Sequence, residues 1–400
     1  MFHISTRLIQ NIGTYLPIFF AFTFFGVVEK SNKSFALMVG ISLIISLIFI
    51  DKEKIIKNLK ENRNNPLLIT LALLTTYTAF IYQSHDISGK EIRALICIFI
   101  MSLYFPFYKI KKLELISIVS IGSLVLIINS FYHNLYLGQS RASGYLNPIP
   151  YSIFSATLLI INLYFLNKFK GHTTKFILIT LSFFLFISIL LTDVRGTILS
   201  LPLAALIVLF PTIKSHKKTC LIVFISMLTI IATTPIIDNV KNRAFRTYEE
   251  IIRIQSGNLK SSMGLRLQMW QSAPKIIEEN LFNGVGGHYK KHLENMYESG
   301  EIQESLYRFR TSHFHNQYID TTVKKGLIGL AFLVAIFIST IVLAYRSGED
   351  EKHFLLGLVA LYAIVSLSDV PFYHAQTLVI YVLAACCIYG MQENKKERQL

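Results

Sequence analysis

An all-α, polytopic membrane fold of about 12 transmembrane helices follows from three observations. The 400-residue chain is 52% hydrophobic, with a mean hydropathy of +0.49, more apolar surface than a water-soluble protein can hide. Only 16% of its residues are charged, too few to cover two packed soluble domains. Apolar runs of 15 to 20 residues alternate with short charged clusters, as expected of repeated crossings of a hydrocarbon layer about 30 Å thick.

In chain order the runs place spans near 12–28, 35–50, 67–82, 94–108, 114–132, 149–167, 176–192, 197–213, 219–237, 322–345, 354–370 and 377–391. The first lacks a small-residue cleavage site and is followed at once by another span. It reads as an uncleaved first helix rather than a removable signal. The next spans are separated by basic clusters at 51–66, 109–112, 168–175 and 214–218 on one side. Short turns at 29–34, 83–93 and around Arg141 and Arg195 close the other. An even number of spans puts both termini on one side. Of the 39 Lys and Arg residues, 20 then fall on the side of the termini and six in the short connections opposite. The positive-inside rule therefore places both ends in the cytoplasm.

The other 13 basic residues lie in one long connection, roughly 238–325, which this topology puts outside. Long segments cross largely regardless of charge, so they do not disturb the count. Stretches 239–253 and 265–280 mix charged and apolar residues in a helical manner, and Asn283-Gly-Val-Gly-Gly287 is a turn. The division expected is 1–237, helices one to nine; 238–321, a mostly helical periplasmic loop or cap; and 322–400, helices ten to twelve and a cytoplasmic tail. Neither a solenoid repeat nor a low-complexity tract is visible.

Composition also excludes functions. Cys97, Cys220, Cys386 and Cys387 all sit in apolar runs without metal-ligand spacing, so neither a disulfide nor zinc is expected. The net charge of +15 would fit nucleic acid in a soluble protein. Here it reports orientation against membrane lipids, and no nucleic-acid partner is expected.

Polar chemistry concentrates at 313–329, where His313-Phe-His315-Asn316 is followed after nine residues by Gly326-Leu-Ile-Gly329. That spacing holds an imidazole about two and a half helical turns above a paired-glycine packing face. His313 and His315, two apart, point away from each other on a strand or a helix. They make a poor metal pair without a third ligand. Arg195 lies between two apolar runs with almost no loop, either as an anchor snorkelling to headgroups beside Asp193 or as a cation facing a polar cavity. Arg266 follows Ser261 and Ser262, either of which can cap a helix; it reads as a solvated face or as an anion site at a helix start. Arg141 belongs to a loop with Gly144 and Asn147-Pro148 turn signals. Asp369 ends the eleventh span and either caps it or partners an arginine. The outer loops hold no paired carboxylates, so protein cations would have to manage any pyrophosphate.

These residues resemble the bacterial O-antigen ligase family and the superfamily it shares with O-antigen polymerases and some protein O-oligosaccharyltransferases. The resemblance rests on His315-Asn316 with Gly326-x-x-Gly329, Arg195-x-x-x-Leu199, Gly264-x-Arg266 with Trp270, Arg141-x-x-Gly144 with Asn147-Pro148, and Gly284-Val-Gly286. Five pieces in order, with one large late loop, cover most of the chain. The chain departs from the pattern in having His313 before His315 where Pro-His is common, and His288 after the glycine turn; either could share the role of His315. The resemblance implies transfer of O-antigen polysaccharide from undecaprenyl pyrophosphate to the lipid A–core oligosaccharide, at the periplasmic face of the inner membrane. It implies no metal and no other cofactor. His315, Arg195 and Arg266 would be catalytic, and Arg141, Asn316, His313 and Asp369 would bind substrate. A polymerase joining lipid-linked repeat units is the alternative within this chemistry, and a glycolipid transporter the alternative outside it.

Overall fold

The computed structural model describes residues 6–49, 52–215, 217 and 236–397. Among these the regular structure is helical, with no β-strand. The helices are α1 (Thr6–Thr23), α2 (Ser31–Phe49), α3 (Lys52–Arg63), α4 (Pro66–Ile81), α5 (Gly89–Tyr104), α6 (Lys112–Phe131), α7 (Pro148–Lys168), α8 (His172–Leu191) and α9 (Arg195–Ser215). From residue 236 onward come α10 (Ile236–Gln255), α11 (Ser262–Glu279), α12 (Tyr289–Glu298), α13 (Glu304–Phe309), α14 (Gln317–Tyr345), α15 (Glu349–Val365) and α16 (Ala375–Glu397).

Six described helices are individually long and apolar enough to cross a bilayer: α2, α6 with its extension to Tyr136, α7, α8, α9 and α14. The chain is thus a multi-pass membrane protein. Two shorter apolar helices, Ile12–Thr23 and Ala375–Met391, flank the rest, while α5 and α15 have 16 and 17 residues. The full count of twelve therefore rests on elements shorter than a straight crossing demands. The ninth expected span, 219–237, lies outside the described residues except at its last two positions.

Helix α7 is the centre. It is apolar on all sides and 89% of its span is buried, as expected of a helix with protein on every face. Asn147 starts it by accepting from the Ile149 N–H at 3.0 Å, with Pro148 supplying a preset φ. Around it pack α6, α8, α9, α15 and α16. Three of its polar groups bond across helices, Ser152 with Thr197 at 2.8 Å, Thr157 with Tyr362 at 3.2 Å, and Asn162 donating to Ser123 at 3.0 Å, while Ser155 Oγ and Asn162 Oδ1 are buried without a partner. At one end Lys168 binds Asp350 and Glu351, both at 2.7 Å. Cys97, Cys386 and Cys387 are buried free thiols.

Two elements differ from expectation. The basic stretch 51–66, read as a connection, is mostly the helix α3, bent 92° from α4. Its Asn58 and Asn62 donate to the carbonyls of Tyr104, Ser102 and Phe105 at 2.7 to 2.9 Å, closing the end of α5. Nor is Gly326 a helix-packing face. It breaks α14 at φ 63°, ψ −165°, a region open essentially to glycine alone. The turn after α11 docks into the break: Leu327 and Ile328 N–H donate to Leu281 and Phe282 carbonyls at 2.9 and 3.2 Å, and Val285 N–H donates to Val323 at 2.8 Å. A Cβ on Gly326 or Gly284 would collide with that backbone. The two glycine signals in the sequence are one structural joint.

Candidate active site

The candidate residues gather where helix ends meet. Asn316 caps α14, accepting from Tyr318 and Ile319 N–H, and its amide donates to the Leu367 carbonyl at 3.1 Å. Gln317 N–H donates to Ser366 at 2.8 Å, and the Gln317 side chain accepts from Phe372 N–H at 2.8 Å. The loop before α14 and the loop after α15 are thereby sewn together. Asn316 spends its side chain on this stitching, so it builds the site rather than reaching into it. Trp270 on α11 donates to the Phe314 carbonyl at 2.9 Å, and Asp320 accepts from Phe314 N–H at 3.0 Å, fixing the other side of the loop.

The stitching places His315, in the left-handed region at φ 48°, with its Nδ1 3.1 Å from Asp369 Oδ1. Asp369 is 2% exposed. With an ionised acceptor there, the proton sits on Nδ1 and leaves the Nε2 lone pair for chemistry. Asp369 is thus the acid in contact with His315. Asp320 instead pairs with Lys324 at 2.8 Å.

Arg266 contacts this dyad, and Arg195 and Arg141 bear on Arg266 electrostatically. Arg266 donates to the Ser368 carbonyl at 2.7 Å and lies 3.8 Å from Asp369 Oδ2. Ser261 caps its helix by accepting from Gly264 N–H at 3.1 Å, and Gly264 is needed because a Cβ would meet the Leu259 backbone at 2.6 Å. Arg195, at the first turn of α9, makes a two-pronged pair with Glu250 of α10 at 3.1 and 3.2 Å. Its Nε is buried without a partner. Its neighbour Gly196 leaves room for Ser368 to approach. Arg141 donates from Nε to the Thr192 carbonyl at 3.1 Å, tying its loop to the end of α8. Burial pushes the Arg266 guanidinium below its ordinary value; Asp369 and Glu250 oppose that shift, while Arg195 and Arg141 reinforce it. Three guanidiniums within one another's field destabilise each other, and an anion between them relieves the repulsion.

His313 is brought beside His315, with ring centroids 4.2 Å apart. The expectation that the two imidazoles diverge is corrected: the left-handed turn at His315 is neither strand nor helix. His374, singled out by no sequence signal, is 5.9 Å from His313 by ring centroid. Burial is the main cause that lowers His313 to about 2 and His374 to about 4, so both are neutral near pH 7. His288 has a different partner, with Nε2 at 3.1 Å from the Ser84 carbonyl. A cleft of about 650 Å³ lined by Asn258, Lys260, Glu304 and Arg308 holds none of these residues. The His315 cluster instead brings together an imidazole, a buried carboxylate and a guanidinium. Glu250, His374 and Lys324 are the site residues that sequence reasoning missed.

Comparison with known proteins follows the same residues. The sequence model of a family described as O-antigen ligase matches residues 180–334, the segment that carries Arg195, Arg266, His313 and His315. An uncharacterized protein of Haemophilus influenzae is 27% identical over 220 residues, 51% of this chain and 54% of that one, so the match spans about half the length of that relative. An O-antigen ligase of Escherichia coli K12 is 22% identical over 98% of this chain and 96% of its own. A family match over the segment that holds the arginines and histidines, joined to a likeness running from end to end, supports the O-antigen ligase family for this chain.

Proposed function

We propose that the chain is a glycosyltransferase that moves O-antigen polysaccharide from undecaprenyl pyrophosphate to a sugar of the lipid A–core oligosaccharide, at the periplasmic face of the inner membrane. His315 Nε2 takes the proton of the acceptor hydroxyl as its oxygen attacks the anomeric carbon. The bond to the pyrophosphate breaks with its electron pair leaving on the phosphate oxygen, and attack from the opposite side inverts the carbon. Arg195 and Arg266 stabilise the growing negative charge, with Arg141 as a third cation. Asp369 holds the imidazole tautomer and steadies the imidazolium that forms. Glu250 must yield Arg195 to the donor, and its two-pronged geometry imitates the phosphate that replaces it.

The observation that carries this reading is the 3.1 Å His315–Asp369 contact with the Arg266 guanidinium on the same carboxylate. The test is complementation. Restored attachment of polymer to lipid A–core in a ligase-deficient strain is the expected result. Restored polymer length in a polymerase-deficient strain, with no attachment, would replace the ligase reading by the polymerase.

A further inference from the structure

One ligand atom each from His313, His315 and Asp369 lies within 4.8 Å of the others. Two imidazoles and one carboxylate are a donor set for a borderline divalent ion, not for Mg²⁺ or Ca²⁺, which seek oxygen. The edge of a tetrahedral zinc site is about 3.3 Å, from bonds near 2.05 Å, and His315 Nδ1 already stands 3.1 Å from Asp369. Small side-chain rotations of His313 close the remaining gap. His313 has the means to respond: its Nδ1 is engaged by Ser312 at 2.8 Å, while its Nε2 is buried with no hydrogen-bond partner. His374 Nε2, on the neighbouring loop, is likewise buried and unpartnered. Two unspent imidazole nitrogens on neighbouring loops are what a ligand would satisfy.

We propose that His313, His315 and Asp369 form an inhibitory site for Zn²⁺, with water or His374 completing the shell. The ion takes the Nδ1 lone pair of His315, and the proton held there moves to Nε2, so that the imidazole no longer accepts a proton from a hydroxyl. Arg266 and Lys324 bear on His313 electrostatically and work against a dication. The affinity therefore belongs to a reversible inhibitory site rather than a structural zinc. The binding half stands on the geometry alone; the inhibition rests on the base role proposed above for His315.

The test titrates Zn²⁺ into the purified, chelator-treated full-length chain by calorimetry, alongside a transfer assay. We expect one saturable site per chain. Binding should weaken at least about tenfold in His313→Gln and in Asp369→Asn and stay unchanged in His288→Gln. Co²⁺ on the unaltered protein should give the intense visible bands of a tetrahedral site, a readout needing neither variants nor activity. No saturable uptake, or uptake untouched by His313→Gln, would overturn the site while leaving the transferase reading intact. Binding without loss of transfer would overturn the inhibition and, with it, the assignment of His315 as base.

Discussion

At the scale of single residues, the arginines and His315 do different work and should fail differently. In the proposed reaction Arg195→Ala and Arg266→Ala would each remove a donor to the leaving phosphate, for an expected loss on the order of 10²–10³ in turnover at equal membrane expression. Lysine should rescue poorly, because it cannot form the two-pronged contact that Arg195 makes with Glu250. Near-normal transfer by either alanine variant removes that arginine from the site. His315→Gln keeps a hydrogen-bonding group but cannot take up a proton; turnover should fall roughly 10²–10⁴ while donor binding survives. Substantial turnover by the glutamine variant would end the general-base role. Burial of His313 and His374 should instead make stability depend on acid. Both are held neutral in the fold, at about 2 and about 4, whereas in the unfolded chain an imidazole titrates near ~6.5. Below that value the unfolded state binds more protons, so stability is complete above it and declines as the pH falls towards the folded values. His374→Gln should flatten the drop in melting temperature between pH 7 and pH 5; an unchanged slope refutes the assignment.

At the scale of elements, the break in α14 connects the site to the bundle. The freed Lys325 carbonyl accepts from Tyr77 at 2.9 Å, the Lys325 ammonium pairs with Glu91, and the turn after α11 fills the gap. Gly326→Ala places a Cβ against the Phe282 carbonyl in a backbone region that L-residues avoid. A destabilisation of at least 1–3 kcal/mol, as an order of magnitude, should follow. A lowered melting temperature in detergent, with transfer lost in parallel, is the expected result. Gly40→Ala, on a face with open space, serves as the neutral comparison. Equal melting of the two variants would show that the joint bears no strain.

At the scale of the whole molecule, the orientation read from basic residues has a direct check. Ser256 lies between α10 and α11, and Lys60 is an exposed residue of α3. A cysteine at position 256 should react with an impermeant maleimide from the periplasmic side, whereas one at position 60 should react only after the membrane is opened. The reverse pattern would put the histidine cluster on the cytoplasmic side and remove the lipid-linked donor from its reach. The buried thiols of Cys97, Cys386 and Cys387 should contribute little background.

Much was legible in the chain itself, because hydropathy, helix caps and turn signals act over a few residues. The apolar runs mark the spans, Asn147-Pro148 and Ser261 mark helix starts, and Arg195, Arg266, His315 and Asp369 stand out as polar groups where the membrane ends. The rest depends on which ends meet. That Asp369 rather than Asp320 orients His315 is decided by Gln317 and Asn316 stitching two loops 50 residues apart. Glu250 reads as one charge among many on α10 until the fold sets it on Arg195, and His374 gains importance only from its distance to His313. Gly326 looks like a packing residue because a helical period runs through it. Its positive φ exists because the turn bearing Gly284 presses in from outside the helix. Local sequence selects local conformation through short-range sterics and solvation, while the pairing of charges across the site comes from long-range packing that no window of neighbouring residues contains.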